Sequence, residues 1–210
     1  MKKLIPILLA VFALVSCEKD PDMDKLGNDY LVYTNYDKKA DFKVPTFYLA
    51  EQILVITDSK EPEYLEGQTA DDILAAYTEN MEARGYQPAP KEEADLGIQV
   101  SYIESTYYFT TYTQPEWWWG YPGYWDTGYW GGYWGGGWYY PYPVTYSYST
   151  NSFLTEMVNL KAEQGSSKKL PVIWTSYLTG FETGSNYINR TLAVRAVNQS
   201  FVQSPYLTNK

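Results

Sequence analysis

The chain has 210 residues, 45% of them hydrophobic, and a formal net charge of −9, which suits one globular domain with a moderate core. This acidic balance disfavours nucleic-acid binding, because the chain would repel a phosphate backbone. The sequence contains no histidine and a single cysteine, which removes the commonest general base, every Ser-His or Cys-His pair and the usual zinc ligands. We therefore predict a protein without enzymatic activity, metal or cofactor. The alternative is a hydrolase that relies on carboxylates alone.

The amino terminus has the parts of a secretory signal. Lys2 and Lys3 are followed by an apolar run over residues 4–15. This run is shorter than the roughly 20 residues that a bilayer-spanning helix needs, and its flanks fit a signal peptide. It ends in Leu-Val-Ser before Cys17, which resembles the lipobox of bacterial lipoproteins. We therefore predict a signal peptide over residues 1–16, cleavage before Cys17 and lipidation of that cysteine.

Lipidation of Cys17 predicts attachment to a membrane, since several acyl chains together hold a protein stably. Residue 18 is Glu rather than Asp, so the common inner-membrane retention signal is missing from the sequence. The outer membrane is the expected location, with the domain facing either the periplasm or the cell surface. The charged residues that follow predict a flexible tether over residues 17–40.

The first half of the domain begins with a β-prone stretch over residues 41–57, with a break at 50–52 that indicates a turn or bulge. A helix is predicted over residues 70–84, because apolar side chains recur there at helical spacing. Thr69 is the predicted N-cap of this helix and Gly85 its C-cap.

Alternating apolar side chains then predict a long strand over residues 95–113. Strand character resumes over residues 144–160 and again over 170–178, with a turn between them that predicts a β-hairpin. A final helix is predicted over residues 186–202. The mixed order of elements predicts an α+β domain over residues 41–205: a mainly antiparallel sheet with both helices packed on one face.

A long aromatic insertion, residues 114–146, interrupts this pattern. Residues 116–142 contain seven tryptophans, seven tyrosines and eight glycines. The tryptophans are Trp117, Trp118, Trp119, Trp125, Trp130, Trp134 and Trp138. A Tyr-Trp-Gly-Gly unit occurs twice in succession from residue 129, and Glu116 and Asp126 carry the charges of the segment.

Three interpretations of this segment remain open. In the first interpretation, the segment is a low-complexity loop that packs partly on itself. In the second, it is a binding surface for a glycan or an envelope protein, in which the tryptophans and Asp126 make the contacts. In the third, it contacts the membrane interface, where Trp and Tyr are favoured.

Short motifs spread over residues 41–203 resemble one family of bacterial lipoproteins. The motifs are Asp41-Phe42, Thr46-Phe47-Tyr48-Leu49, Gly85-Tyr86, Ala94-Asp95-Leu96 and Val172-Ile173-Trp174, together with the Tyr/Trp/Gly-rich insertion. The family's module is called domain of unknown function 4136 (DUF4136). Two positions depart from its pattern, since Thr175-Ser176 follows Trp174 where Arg and a small residue are usual, and Glu156 stands where Asp is usual. The resemblance implies the fold and an envelope location, and it implies no activity.

Overall fold

A computed structural model describes residues 30–57, 59, 61–104, 127–131, 134, 137–143, 149–163, 165–181 and 183–210, without the side chain of Ile188. Six predicted site residues lie outside this part of the chain: Cys17, Trp117, Trp118, Trp119, Trp125 and Asp126. None of the helices in the described ranges combines the length and apolar content needed to cross a membrane.

The described residues form two α-helices and eight strands. They are, in chain order, β1 (Leu31–Tyr36), β2 (Thr46–Ile56), β3 (Glu63–Leu65), α1 (Gln68–Ala83), β4 (Gln87–Pro88), β5 (Leu96–Ile103), β6 (Trp138–Tyr139), β7 (Ser152–Asn159), β8 (Leu170–Thr179) and α2 (Asn186–Val202). The strand order across the sheet is β1-β8-β7-β5-β2-β3, and β4 and β6 make short pairs with β2 and β8. A 3₁₀-helix, Thr127–Trp130, precedes β6.

The sheet is mixed, so the predicted mainly antiparallel arrangement is wrong. β2 pairs with β5 in parallel, and the short pairs β2–β4 and β6–β8 are also parallel. The cause lies in the connection, because α1 carries the chain back along the sheet between β2 and β5, as a parallel pair requires. The other pairs are antiparallel, among them the predicted hairpin of β7 and β8.

Strand β2 contains the irregularity that the sequence predicts at residues 50–52. Its register with β5 shifts between Leu49 and Ile53, so the strand carries extra residues at this point. The shift lets residues on both sides of it reach the core, because Phe47 and Ile53 are buried with the helices. The strand itself begins at Thr46, later than the predicted residue 41.

Both caps of helix α1 differ from the prediction, since the C-cap is Arg84 and Gly85 directly follows it. The N-cap is Gly67, with no side-chain hydrogen bond, so the prediction of Thr69 is wrong and Thr69 lies inside the first turn. At the other end, Gly85 adopts a φ of 93°. The amide of Gly85 donates to the Glu82 carbonyl and that of Tyr86 to the Met81 carbonyl, at 2.9 and 3.2 Å, which is a Schellman ending.

Strand β1 lies within residues 17–40, the segment predicted as a flexible tether. It pairs antiparallel with β8 over its whole length, from Leu31 opposite Thr179 to Tyr36 opposite Trp174. Alternate side chains therefore reach the core beneath the helices, where Val32 and Tyr36 pack. The folded domain thus begins about ten residues earlier than predicted, which leaves a shorter segment between Cys17 and the first strand.

Both helices pack on one face of the sheet, as predicted, and we call this the helix face. Their buried apolar side chains join those of the central strands in one core, with Ile73, Tyr77, Val197 and Phe201 from the helices. The Tyr77 hydroxyl lies 2.6 Å from the Thr155 hydroxyl on β7, and burial raises the pKa of Tyr77. A hydroxyl pair of this kind satisfies two buried polar groups at once.

Candidate functional site

The opposite face of the sheet is covered by a second core built from the aromatic segment. We call residues 127–143, as far as the structure describes them, the aromatic layer. Trp130, Trp134 and Trp138 are exposed by only 5%, 4% and 1% and pack against apolar side chains from β2, β7 and β8. The central strands β5, β7 and β8 are therefore buried on both faces, and the domain has three layers.

Tight turns bring the three tryptophans to the same side of the layer. The 3₁₀-helix Thr127–Trp130 is followed by Gly131, whose φ is 124°. The Gly131 amide donates to the Gly128 carbonyl and the Trp134 amide to the Gly131 carbonyl, both at 3.2 Å. A positive φ is readily adopted by glycine, so the glycine after Trp130 in the repeat provides the turn. Trp138 is the first residue of β6 and pairs with Leu170, the first residue of β8.

Four polar residues form a continuous row beneath the aromatic layer. They are paired across adjacent strands: Gln99 on β5 lies opposite Glu156 on β7, Glu156 opposite Thr175 on β8, and Thr175 opposite Asn35 on β1. We call Asn35, Thr175, Glu156 and Gln99 the polar row. Its position in the middle of a buried face is unusual, because buried polar groups need hydrogen-bond partners.

The aromatic layer supplies partners for three of the four residues of this polar row, while the buried Thr175 hydroxyl has no hydrogen-bond partner among the described residues. The Trp130 indole Nε1 donates to Gln99 Oε1 at 3.1 Å, and Gln99 Nε2 donates to Glu156 Oε2 at 2.7 Å. The Tyr140 hydroxyl donates to Glu156 Oε1. The carboxylate of Glu156, exposed by 1%, therefore accepts hydrogen bonds from the sheet and from the layer.

At the β1 end of the polar row, Asn35 contacts the last residue of the aromatic layer. Asn35 Nδ2 donates to the carbonyl of Pro143 at 2.7 Å. Since Asn35 belongs to the edge strand β1, the row and its contacts extend from β5 to that edge of the sheet. The aromatic layer is thus bonded to three strands through three side chains of the row.

Gly97 on β5 is the point of closest approach between sheet and layer. A Cβ atom at this position would lie 2.4 Å from Cζ3, 2.7 Å from Cε3 and 2.9 Å from Cη2 of Trp130. Carbon atoms normally approach no closer than about 3.5 Å. The indole of Trp130 therefore rests on the bare backbone of β5, and residue 97 must lack a side chain.

Tyr129 closes the layer on the side of β2. Its hydroxyl lies 3.1 Å from that of Tyr48, and the ammonium of Lys91 lies 4.0 Å from the centre of its ring. Burial raises the pKa of Tyr129. The Trp130 ring meets Tyr129 edge to face, with centroids 5.0 Å apart, a favoured aromatic geometry.

The structure divides the predicted binding residues into two groups. Trp130, Trp134 and Trp138 are packed on the sheet and have no exposed face to offer a partner. The other four tryptophans and Asp126 lie outside the described residues, so the binding interpretation stays a prediction for residues 114–126. Within the described part of the chain, no group of three or more acidic, histidine or cysteine side chains is placed to hold a metal ion.

Sequence reasoning missed the residues that hold the layer. Gly97 and Gln99 alternate with Leu96 and Ile98, which indicates one buried and one solvent-facing side. The side of β5 predicted to face solvent, which carries Gly97 and Gln99, is in fact covered by the aromatic layer. Glycine and glutamine in the central strand were the available signal, because glycine weakens a strand unless another group approaches closely.

These features define a class: a mixed-sheet α+β domain with two helices on one face and an aromatic layer on the other. The family model of DUF4136, described as "Domain of unknown function (DUF4136)", matches residues 32–206. The chain belongs to this family, as its motifs indicated. No curated protein matches the chain.

A crystal structure of a DUF4136 family protein from Bacteroides thetaiotaomicron VPI-5482 is similar to this chain. The two are 79% identical with a TM-score of 0.80, and the match covers 87% of this chain and 100% of the other. Two structures of a PelC dodecamer from Paraburkholderia phytofirmans match at 10% and 11% identity, covering 85% and 86% of this chain and 98% and 99% of theirs. Their TM-scores are 0.40, a likeness too weak to bear on fold or function.

Proposed function

We propose that the protein is a lipid-anchored binding module of the bacterial cell envelope and has no enzymatic activity. The proposal joins two features of the chain. The apolar run that ends at Cys17 supplies the anchor. The aromatic segment supplies the contact surface, through Trp117, Trp118, Trp119, Trp125 and Asp126.

One observation carries this proposal: the structure fixes both ends of residues 105–126. At the first end, the Glu104 amide donates to the Ile56 carbonyl at 3.1 Å. At the second, Thr127 is buried and begins the 3₁₀-helix that leads into Trp130. A segment whose ends are held loses less conformational entropy when it binds than one on a free chain end. The buried layer therefore acts as a base for the part of the segment that makes contact.

The chemistry of residues 117–126 favours an envelope glycan or an envelope protein as partner. Trp side chains offer a large rigid apolar face with one donor, which suits sugar rings and protein hot spots alike. Asp126 adds an acceptor for hydroxyl or amide hydrogens. The net charge of −9 makes an anionic membrane surface a poorer partner for this segment.

The contact surface can be tested by replacing Trp117, Trp118, Trp119 and Trp125 together with serine. Glycan arrays and in-cell crosslinking to envelope proteins are compared with those of the unchanged chain. We expect at least a tenfold loss of binding, on the order of what losing one or two aromatic hot spots costs. Unfolding by urea should be unchanged, because the buried tryptophans remain.

The matched control for this variant replaces Tyr64 and Tyr187, two exposed tyrosines of the described surface, with serine. This control should bind as the unchanged chain does. Equal binding by all three proteins would refute the proposed surface. A loss seen only with protein-free liposomes would instead assign the segment to the membrane interface.

The anchor is tested by Cys17→Ser. Without the thiol, no diacylglyceryl group can be attached, so the protein should lose incorporation of labelled fatty acid and leave the membrane fraction. Cell fractionation and metabolic labelling measure both effects. Membrane association that persists without label in the variant would contradict lipid anchoring at this residue.

A further inference from the structure

A pocket opens on the helix face, at the end of the sheet away from the Schellman ending of α1. It lies between the starts of α1 and α2 and the strands β5 and β7, and its volume is about 440 Å³. This is within the range of small-molecule sites, roughly 300–1,000 Å³. Because it is on the opposite side of the sheet from the aromatic layer, it is a separate feature from the proposed contact surface.

The floor of the pocket is aromatic. Tyr102, Phe153 and Phe181 line it, and their rings follow one another at centroid distances of 5.0 Å and 5.9 Å. Phe153 and Phe181 are buried, and Ala193 from α2 completes the floor. A surface of this kind favours the apolar part of a ligand over water.

The wall formed by α2 presents hydrogen-bond donors. Nε of Arg190 lies 3.2 Å from Oδ2 of Asp72, and Oδ1 of Asp72 accepts from Gln68 at 2.6 Å. Among the residues that the structure describes, the terminal nitrogens of the Arg190 guanidinium have no carboxylate partner. One edge of the guanidinium is thus held by α1, its central carbon lies 5.5 Å from the centre of the Tyr187 ring, and Arg190 lines the wall of the pocket.

Asn189 adds a second donor beside Arg190. Its Oδ1 accepts from the Thr183 amide at 3.0 Å and from the Thr183 hydroxyl at 2.7 Å. The backbone amide of Thr183 can only donate, so the side-chain atom of Asn189 that it contacts must be the oxygen. The Nδ2 group of Asn189 is therefore left as a donor. Both residues lie in the first turns of α2, where the helix dipole also favours negative charge.

We propose that this pocket binds a small carboxylate with an apolar or aromatic body. The carboxylate is held by Arg190 and Asn189, and the body lies on Tyr102, Phe153 and Phe181. A guanidinium binds a carboxylate with two parallel hydrogen bonds, which gives strength and orientation. Glu66, exposed at the rim, disfavours a second negative charge on the ligand.

Two sources share this chemistry, a simple aryl or alkyl acid and a free amino acid, and the experiment separates them. The chain from residue 17 with Cys17→Ser is titrated by calorimetry with 3-phenylpropionate, L-phenylalanine and 3-phenylpropionamide. We expect binding of at least one carboxylate and at least tenfold weaker binding of the amide, which lacks the charge that the guanidinium recognises. Preference for phenylalanine would indicate that Glu66 holds an ammonium group.

Two variants test the assignment of residues. Arg190→Gln should weaken carboxylate binding at least tenfold. Asp72→Asn removes the charge that holds one edge of the guanidinium but leaves the guanidinium itself, so it should weaken binding much less than Arg190→Gln does. Equal losses in Arg190→Gln and Asp72→Asn would show a structural effect and overturn the proposal. So would equal binding of acid and amide, no binding of either acid at millimolar concentration, or stronger binding of a neutral sugar such as glucose.

Discussion

Replacing Gly97 with alanine is expected to lower the free energy of unfolding by about 2–4 kcal/mol, through overpacking and the loss of a buried hydrogen bond. The new methyl group would lie 2.4 Å from Cζ3 of Trp130, so the indole must move by about 1 Å to reach normal contact. Movement of the indole also lengthens its 3.1 Å hydrogen bond to Gln99. Urea denaturation followed by tryptophan fluorescence measures the change.

Gly165→Ala is the matched control for this substitution. Gly165 lies in the turn between β7 and β8, and a Cβ atom there meets nothing within 4 Å. The same chemical change should therefore alter stability by less than about 0.5 kcal/mol, as at ordinary surface positions. A similar small effect at both glycines would show that Trp130 does not rest on Gly97 in solution.

A double-mutant cycle identifies the partner of Gly97. Trp130→Ala alone should cost about 3–5 kcal/mol, as large aromatic truncations in cores do. In that background, adding Gly97→Ala should cost little, because the methyl group then enters the space left by the indole. Strong non-additivity of this kind is expected only for residues in contact. Additive effects would show that Gly97→Ala destabilises the protein through a contact in β5 other than the one with Trp130.

Local patterns in the sequence predicted the helices and the hairpin well. Helix α2 occupies residues 186–202 as predicted, because its limits depend on local periodicity and on polar residues at its ends. The hairpin of β7 and β8 also depends on neighbouring residues, and β8 begins at the predicted residue 170. Local order of this kind is visible in the chain without knowledge of the tertiary structure.

The parts that escaped prediction depend on distant residues. Gln99 faces an interior because Trp130, 31 residues later in the chain, supplies its hydrogen-bond partner. The strand Leu31–Tyr36 is short and follows a charged stretch, and it is stabilised by pairing with β8 at the far end of the chain. In both cases the partner decides the structure, and the local pattern does not identify that partner.

The structure of the aromatic segment also depends on residues distant in the chain. Its composition is equally compatible with a loop, a binding surface and a membrane contact. For the described residues of 127–143, the polar row indicates packing on the sheet, since the layer donates to Gln99 and Glu156, which are buried in the sheet. The low-complexity appearance of this part thus conceals a specific packing function, with tryptophans at every fourth position on one side.

Glu156→Gln tests whether the polar row holds the layer. The two carboxylate oxygens accept from Gln99 Nε2 and from the Tyr140 hydroxyl. A glutamine side chain has the same shape and replaces one acceptor with an NH₂ donor. Because Trp130 holds the Gln99 amide in orientation, Gln99 cannot reverse to compensate without losing its own bond. The Tyr140 hydroxyl can turn and accept from the new NH₂ group, so what is lost is the charged acceptor that both bonds share. We expect a loss of about 1.5–3 kcal/mol in the free energy of unfolding, the usual range for hydrogen bonds to a charged group.

The control Glu79→Gln makes the same chemical change at an exposed position of α1 and should be nearly neutral. Both variants reduce the negative charge of the acidic chain by one, so a general charge effect would appear equally in the two. If only Glu156→Gln destabilises the protein, and Tyr140→Phe adds little further loss in that background, the Glu156–Tyr140 bond is the coupling between sheet and layer. Full additivity of Glu156→Gln and Tyr140→Phe would contradict it. Since Thr127 of the aromatic layer is the residue that follows 105–126, a variant that loosens the layer should also weaken the proposed binding through Trp117 to Trp125, although none of these residues is replaced.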